Sequence, residues 1–267
     1  MLDIELVLSL LLLGSVVGVI AGLLGVGGGG IMVPVLTTLF VAQGVATDQV
    51  VHLALGTSMA SIIFTSISSM RSHHAQQGVV WDIVKGMSSG VILGTFLATF
   101  IASQINSLYL ALFFSCFMAF VSLQMFINKK PQANRQISGK KEVFFVGSGI
   151  GALSALVSIG GGSLTVPYLV SRNIEIKKAV GTSAAIGLPI AIAGSVGYLV
   201  NGWANSSLEN YTLGFIYLPA VLLIAVSSFV TAPYGAKLAH HLPVKTLKKV
   251  FSLLLITLSI KMLTTII

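Results

Sequence analysis

Long apolar stretches alternate with short polar loops along the whole chain. Apolar segments lie at about 4–26, 31–42, 48–70, 79–102 and 106–127, and then at about 143–159, 163–171, 178–200, 213–237 and 248–266. Most of them reach the ~20 residues that a helix needs to cross a bilayer. Segments 31–42 and 163–171 do not, so they can be half-spans at most. The pattern predicts an all-α polytopic membrane protein.

A glycine-rich stretch breaks the first apolar run. GLLGVGGGGIMVPVL, Gly22 to Leu36, contains four consecutive glycines, and Pro34 follows them. In a helix interior each glycine costs roughly 1 kcal/mol relative to alanine, and proline costs roughly 3 kcal/mol, although proline fits the first turn. We therefore expect a helix that ends near Val26, an unwound turn, and a short helix that begins between Ile31 and Pro34. Within a membrane such irregular backbone is tolerated only where protein covers it or a water-filled cavity touches it.

The same stretch occurs a second time in the chain. GALSALVSIGGGSLTVPYL, Gly151 to Leu169, aligns with Gly18 to Leu36 at a constant offset of 133 (151 − 18), and eight of its nineteen positions are identical. Each copy is followed by a GTS motif, in ALGTSMA at 54–60 and AVGTSAA at 179–185. The chain is therefore a duplication. We predict a first transmembrane repeat at 1–127, a basic cytoplasmic linker at 128–142 and a second repeat at 143–267.

Composition agrees with a membrane protein and argues against a nucleic-acid-binding one. The chain is 55% hydrophobic and 8% charged, whereas a soluble domain carries about 25% charged residues. The net charge of +8 comes from lysines and arginines in short loops, where membrane topology explains them. Cys116, the single cysteine, is expected to be a small core residue. We expect His52 at the membrane interface and His73 on a solvated face of a basic loop.

The positions of lysine and arginine decide whether the short segments continue through the membrane or turn back. If they continued, the fourteen loop residues among the 15 lysines and arginines would divide seven against seven. If each short segment returns to the side from which its partner came, all fourteen lie on one face, and only Lys261 departs. Cytoplasmic loops carry this excess. We therefore predict two inverted-topology repeats, each with a broken-helix hairpin and three spanning helices, and both chain ends outside.

The two glycine turns carry the candidate chemistry. A helix N-terminus exposes unpaired N–H groups and about half a positive charge, and inverted symmetry would bring two such N-termini to a shared centre. This arrangement binds an anion without a buried lysine or arginine, and the GTS hydroxyls could add donors. The predicted substrate-binding residues are Gly27, Gly28, Gly29, Gly30, Pro34, Thr57, Ser58, Gly160, Gly161, Gly162, Ser163, Pro167, Thr182 and Ser183.

A second explanation exists for each of these features. Glycines in membrane helices often allow only close helix packing, and serine and threonine often hydrogen-bond within their own helix or to a neighbour. Duplicated glycine runs followed by proline favour the binding explanation for the turns. The GTS hydroxyls fit either role.

The paired motifs GLLGVGGGGIMVPVL and GALSALVSIGGGSLTVPYL, each followed by GTS, resemble those of the TauE/SafE family of membrane permeases, also called the sulfite exporter or toluene-sulfonate uptake permease group. The resemblance covers essentially the whole chain. It implies a bacterial-type inner-membrane transporter of small sulfur-containing anions such as sulfite, sulfonates or sulfoacetate-like compounds. Family membership leaves the substrate and the direction open. One departure is Ser163, which stands where the first copy has Gly30.

The leading hypothesis is thus a secondary active transporter working by alternating access, without a cofactor or metal, and driven by H⁺ or Na⁺. An anion channel with the same site as its filter is the alternative. An intramembrane hydrolase is a third, disfavoured because no nucleophile turn such as GxSxG is present. The expected partners are the anionic substrate and the lipid bilayer. The sequence leaves the oligomeric state open, a homodimer included.

Overall fold

The computed structural model describes residues 3–25, 27–127, 139–207, 211–238 and 244–266. The helices in these ranges are α1 (Ile4–Leu24), α2 (Gly29–Ala42), α3 (Val50–Ala75), α4 (Trp81–Gln104), α5 (Ser107–Ile127), α6 (Lys140–Val157), α7 (Gly162–Ser171), α8 (Ile176–Asn201), α9 (Leu218–Leu238) and α10 (Val244–Ile266). A 3-10 turn at Trp203–Asn205 and a two-stranded antiparallel hairpin, β1 (Thr212–Leu213) and β2 (Ile216–Tyr217), connect α8 to α9.

The predicted all-α polytopic architecture is confirmed. Seven helices of the described chain are long and apolar enough to cross a membrane: α1, α3, α4, α5, α8, α9 and, from residue 249 onward, α10. The ends of these helices fall within about five residues of the ends of the apolar segments predicted from the sequence. The β-hairpin before α9 is an addition that the apolar pattern did not predict. Most of the predicted linker, residues 128–138, lies outside the described residues.

Both broken helices end and restart in the same way. α1 ends at Gly25 and α2 is capped by Gly28, both in the left-handed region with φ of 66° and 82°. The equivalent residues at an offset of 133, Ser158 and Gly161, have φ of 48° and 80°. A left-handed residue at a helix end is the usual way to stop the helix and redirect the chain. Because serine adopts this conformation less readily than glycine, Ser158 is a strained position in the second turn.

The register of the two prolines differs from the sequence expectation. α2 begins at Gly29 and α7 at Gly162, so Pro34 and Pro167 are the sixth residues of their helices and not first-turn residues. Proline has no N–H to donate to the carbonyl four residues earlier. The glycines extend the helices backward by one turn because their missing side chains let the first turn pack against neighbouring backbone.

Both short helices turn back beside the helix that precedes them. Glu142 in the first turn of α6 and Arg172 at the end of α7 form an ion pair at 2.6 Å, which places these two ends together. In the first half, Phe40 near the end of α2 packs edge-on against Tyr217, which immediately precedes α9, with ring centroids 5.6 Å apart. This is the hairpin arrangement that the lysine and arginine distribution predicts.

α1 and α9 run side by side and in the same direction, so α9 serves as a reference for the direction of α2. Gly14 of α1 lies against Ile224, and Gly22, two turns later, lies against Ala236. The start of α9 is therefore level with the start of α1. Since α2 ends at that level, it returns toward the side from which α1 comes.

Equivalent helices of the two halves make equivalent contacts, where α1, α3 and α4 of the first half correspond to α6, α8 and α9 of the second. α1 packs on α9 as α6 packs on α4, and α3 packs on α9 as α8 packs on α4. α3 and α8, which are equivalent, run antiparallel: Met59 contacts Gly194, and His73 contacts Gly181. Inverted-topology repeats would place equivalent helices in this way, and the inverted repeat itself stays a prediction. Which membrane face each loop occupies stays a prediction.

The expectations of a solvated His73 and of a core Cys116 are wrong, whereas the interfacial position of His52 stays a prediction. His52 and His73 are buried, with 5% and 4% of their surface exposed. Both lie on α3, which packs against α2, α8 and α9, and each ring finds a carbonyl on another helix. His52 Nε2 is 3.1 Å from the Ala102 oxygen, and His73 Nε2 is 3.1 Å from the Gly22 oxygen. Cys116 is exposed, because it lies on the outward side of α5.

Candidate functional site

The two glycine turns meet at the centre of the molecule. A Cβ atom placed on Gly27 would lie 2.7 Å from the Cα atom of Gly160, and one on Gly160 would lie 2.9 Å from the Cα atom of Gly27. Neither distance leaves room for a side chain. A Cβ on Gly29 would overlap the carbonyl oxygen of Ser158. The two repeats therefore touch backbone to backbone at the N-terminal ends of α2 and α7.

A crevice opens beside this contact. It encloses about 180 Å³ of empty space, including its mouth, and in this conformation it is too narrow to admit water. Its walls are Ala21, Gly25, Gly27, Thr65, Ser66, Ser69, Gly160 and Ala184. Of the predicted binding residues, only Gly27 and Gly160 line it.

Hydroxyl groups of α3 form the polar wall of the crevice. Thr65 donates to Ser228 Oγ at 2.8 Å, so its proton is already engaged. Ser69 is buried, and its Oγ has no hydrogen-bond partner in the described residues. Ser66 is also buried. Ser66 and Ser69 are three residues apart and so lie on the same face of the helix.

The two threonines of the GTS motifs hold other helices. Thr57 Oγ1 accepts a hydrogen bond from the backbone N–H of Tyr217 at 2.9 Å, just before α9. Thr182 Oγ1 accepts one from Val80 at 3.0 Å, just before α4. The first N–H groups of a helix have no partner within it, so each threonine supplies an acceptor from a neighbouring helix. Neither threonine lines the crevice.

The serines of the GTS motifs differ from each other. Ser183 Oγ lies 2.8 Å from the Val180 oxygen and 3.4 Å from the Gly25 oxygen, and it bridges α8 to the first turn. Ser58 is fully buried, and its Oγ has no partner in the described residues. Ser163, in the first turn of α7, is likewise buried with an unpartnered Oγ. Ser58 and Ser163 lie outside the crevice wall.

The remaining predicted residues pack around the turns. Gly28 lies against Val17, Gly30 against Leu255 and Met118, and Gly161 against Ile190. Gly162 is the buried first residue of α7. Pro34 is buried and Pro167 half-buried, and neither reaches the crevice. These positions shape the turns, and the structure does not bring their side chains into the opening.

The electrostatic character of the site comes from backbone and hydroxyl groups. In the described part of the chain no lysine, arginine, aspartate or glutamate is buried. In the second turn the N–H groups of Leu164 and Thr165 both donate to the Gly161 oxygen, and the earlier N–H groups of α7 have no acceptor within the helix. Such a helix start favours negative charge nearby.

Thr65, Ser66 and Ser69 were not among the residues predicted from the sequence. The signal that could have found them is a comparison of the two repeats at the offset of 125 that aligns the GTS motifs (179 − 54). At that offset the three positions correspond to Ile190, Ala191 and Gly194, which carry no hydroxyl. Packing alone would place similar residues at equivalent positions of the two repeats. Hydroxyls that occur in only one repeat therefore indicate a role other than packing.

Comparison with known proteins agrees with this architecture. The family model described as "Sulfite exporter TauE/SafE" matches residues 10–262. A protein of Haemophilus influenzae described as "Probable membrane transporter protein" is 37% identical over 257 residues, which cover 96% of this chain and 97% of that protein. No solved structure matches the chain significantly.

Two more distant relatives carry the same description. One, from Methanocaldococcus jannaschii, is 28% identical over 250 residues, covering 92% of this chain and 91% of its own length. The other, from Bacillus subtilis, is 28% identical over 247 residues, covering 90% of this chain and 93% of its own length.

Seven helices able to span a membrane and a family match over nearly the whole chain lead to one conclusion. The chain belongs to the TauE/SafE family and is a multi-pass membrane transporter, not an enzyme.

Proposed function

We propose that this transporter carries a small sulfur-containing anion, such as sulfite, a sulfonate or a sulfoacetate-like compound, across a bacterial-type inner membrane. The name of the matched family, sulfite exporter, supports this substrate class. The site gives independent support for an anionic substrate. Two helix N-termini and unpartnered hydroxyls line or flank the crevice. Among the described residues, no buried carboxylate lies there. Hydrogen bonds to a charged group are the stronger kind.

The observation that carries the proposal is the contact of Gly27 with Gly160 beside the crevice. The substrate binds where the two repeats touch, so a relative movement of the repeats changes its surroundings. Binding at the interface of inverted repeats is typical of secondary transporters. Alternating access then requires only that the two backbone surfaces part on one side or the other.

We propose a carrier and not a channel, because a binding site at the interface of two repeats is typical of secondary transporters. We propose that a gradient of H⁺ or Na⁺ supplies the energy, with no resident cofactor. The inner-membrane location belongs to the same proposal.

Exchange in proteoliposomes tests this function. Vesicles loaded with unlabelled sulfite should take up labelled sulfite from outside, with a rate that saturates as the external concentration rises. Excess sulfoacetate or thiosulfate should compete, and acetate and phosphate should not. Protein-free vesicles provide the baseline.

Two results would contradict the proposal. Flux that follows the membrane potential without saturation would indicate a channel. Exchange of acetate or phosphate in place of every sulfur anion tested would show that the substrate class is wrong.

A further inference from the structure

The crevice lies on one side of the contact between the turns. The equivalent of Ala184, which lines it, is Met59 at an offset of 125. The Sδ atom of Met59 would lie 3.0 Å from a Cβ on Gly194, so this side chain fills the space on its own side. The equivalent of Ala21, at an offset of 133, is the larger Ser154. Two small residues thus line the open side, and the equivalent positions of the other side carry larger ones.

The polar groups are distributed in the same one-sided way. On the open side α3 presents Ser66 and Ser69, both buried, and the Oγ atom of Ser69 has no hydrogen-bond partner in the described residues. At the equivalent positions α8 has Ala191 and Gly194. A buried hydroxyl without a partner costs free energy of about 1–3 kcal/mol. The unpartnered hydroxyl of Ser69, beside the buried Ser66 on the same wall, indicates a ligand that supplies the missing acceptor.

We propose that Ser66 and Ser69 of α3 bind the transported anion directly and fix its position off the axis that relates the two repeats. The inference rests on the proposed function and assigns the ligands within that site. The GTS hydroxyls are not the ligands, because Thr57 and Thr182 already serve backbone N–H groups.

The spacing of the two serines suits a small oxyanion. Residues three apart on a helix rise by about 4.5 Å along its axis and face the same direction. Two hydroxyl donors at that spacing can reach two different oxygens of one sulfite or sulfonate group. Thr65 lies on the same wall but donates to Ser228 Oγ, and so it supports the wall without binding the anion.

Isothermal titration of purified protein with sulfite, without oxygen, tests the assignment. Ser69→Ala and Ser66→Ala should each weaken binding by about 10- to 100-fold, which is the loss expected for one hydrogen bond to a charged group. Ser69→Thr keeps the hydroxyl and should bind sulfite more tightly than Ser69→Ala. Ala184→Met copies the filled side and should abolish binding.

Ser154→Ala is the matched control. Ser154 Oγ is also buried and unpartnered in the described residues, but it lies on the filled side, so its removal should leave the dissociation constant unchanged. Thermal unfolding of each variant without sulfite identifies those that fail to fold.

The outcomes separate this inference from the proposed function. If the wild type binds sulfite and folded Ser66→Ala and Ser69→Ala bind it equally well, the serine assignment is wrong and the proposed function stands. Equal weakening by Ser154→Ala would also overturn the assignment. If the wild type binds no sulfite, sulfonate or thiosulfate, the proposed function fails and the assignment fails with it.

Discussion

Gly27 and Gly160 lie 133 positions apart in the chain (160 − 27), yet the Cα atom of Gly160 is 2.7 Å from the point where a Cβ on Gly27 would stand. The halves of the molecule therefore meet through main-chain atoms. Only glycine allows such an approach, which gives a physical reason for a glycine run in each repeat. The contact itself is made by main-chain atoms, with the Ile62 side chain packed beside it.

The first prediction concerns the GTS threonines. Thr57→Val and Thr182→Val each remove the acceptor for a backbone N–H at the start of a neighbouring helix, Tyr217 before α9 and Val80 before α4. Leaving such a group unpaired should lower the free energy of unfolding by about 1–3 kcal/mol. Unfolding in detergent, followed by circular dichroism, measures the loss.

Thr57→Ser and Thr182→Ser are the controls for these variants. They retain the hydroxyl and should keep most of the stability. If instead the valine variants unfold like the wild type but lose affinity for sulfite, the threonines face the substrate and our assignment of them as helix supports is wrong.

The second prediction concerns the end of α6. The fully buried Tyr198 donates its hydroxyl to the Ala155 oxygen at 2.8 Å, and His73 Nε2 contacts the Gly22 oxygen, the equivalent position of α1. The last carbonyls of a helix have no partner within it. Tyr198→Phe should therefore destabilise the protein by about 1–3 kcal/mol.

Tyr234→Phe is the matched control, because Tyr234 is 61% exposed and its hydroxyl is not buried. Its effect should stay within about 0.5 kcal/mol. Equal unfolding midpoints for the two variants would show that the hydroxyl of Tyr198 does not support α6.

The third prediction concerns topology. In a Cys116→Ser background, single cysteines at Gln77 and Asn173 should react with a membrane-impermeant thiol reagent from one face of the membrane. Cysteines at Gln43 and Asn106 should react from the other face. All four positions are exposed loop residues. Right-side-out and inside-out vesicles distinguish the faces.

The position of Asn173 decides between the two topologies. If it labels together with Gln43 and Asn106, α7 continues in the direction of α6 and the two-hairpin topology is excluded. Labelling together with Gln77 agrees with a hairpin in the second half and with inverted repeats.

The sequence predicts most of the fold because its signals are local or repeated. Apolar length locates the spans, and the glycine runs locate the two breaks to within a few residues. The register of Pro34 was wrong by about one turn, because the close packing of Gly29 on Ser158 depends on the other repeat. The hairpin at 212–217 was missed because its residues are as apolar as the helix that follows.

The site is harder to predict because its geometry depends on contacts between distant segments. Nothing in the string GTS reveals that Thr57 meets the N–H of Tyr217, 160 positions later (217 − 57). α3 carries many hydroxyls, and Ser61, for example, bonds to the Thr57 oxygen within its own helix. Only the packing of α3 against the turns distinguishes Ser66 and Ser69 from the rest.

The most direct test of the central claim is whether an anion stabilises the protein through the paired turns. Thermal unfolding of purified wild type would be recorded with sulfite, sulfoacetate, taurine, acetate and phosphate, beside Gly160→Ala and Gly149→Ala. A Cβ at Gly160 meets the Gly27 backbone, whereas one at Gly149 meets nothing within 4 Å. A ligand at 100 times its dissociation constant stabilises the folded state by about 2.7 kcal/mol. We predict that a sulfur anion raises the unfolding temperature of the wild type and of Gly149→Ala but not of folded Gly160→Ala. An equal rise in all three proteins would contradict the account, because the anion would then bind away from the glycine turns.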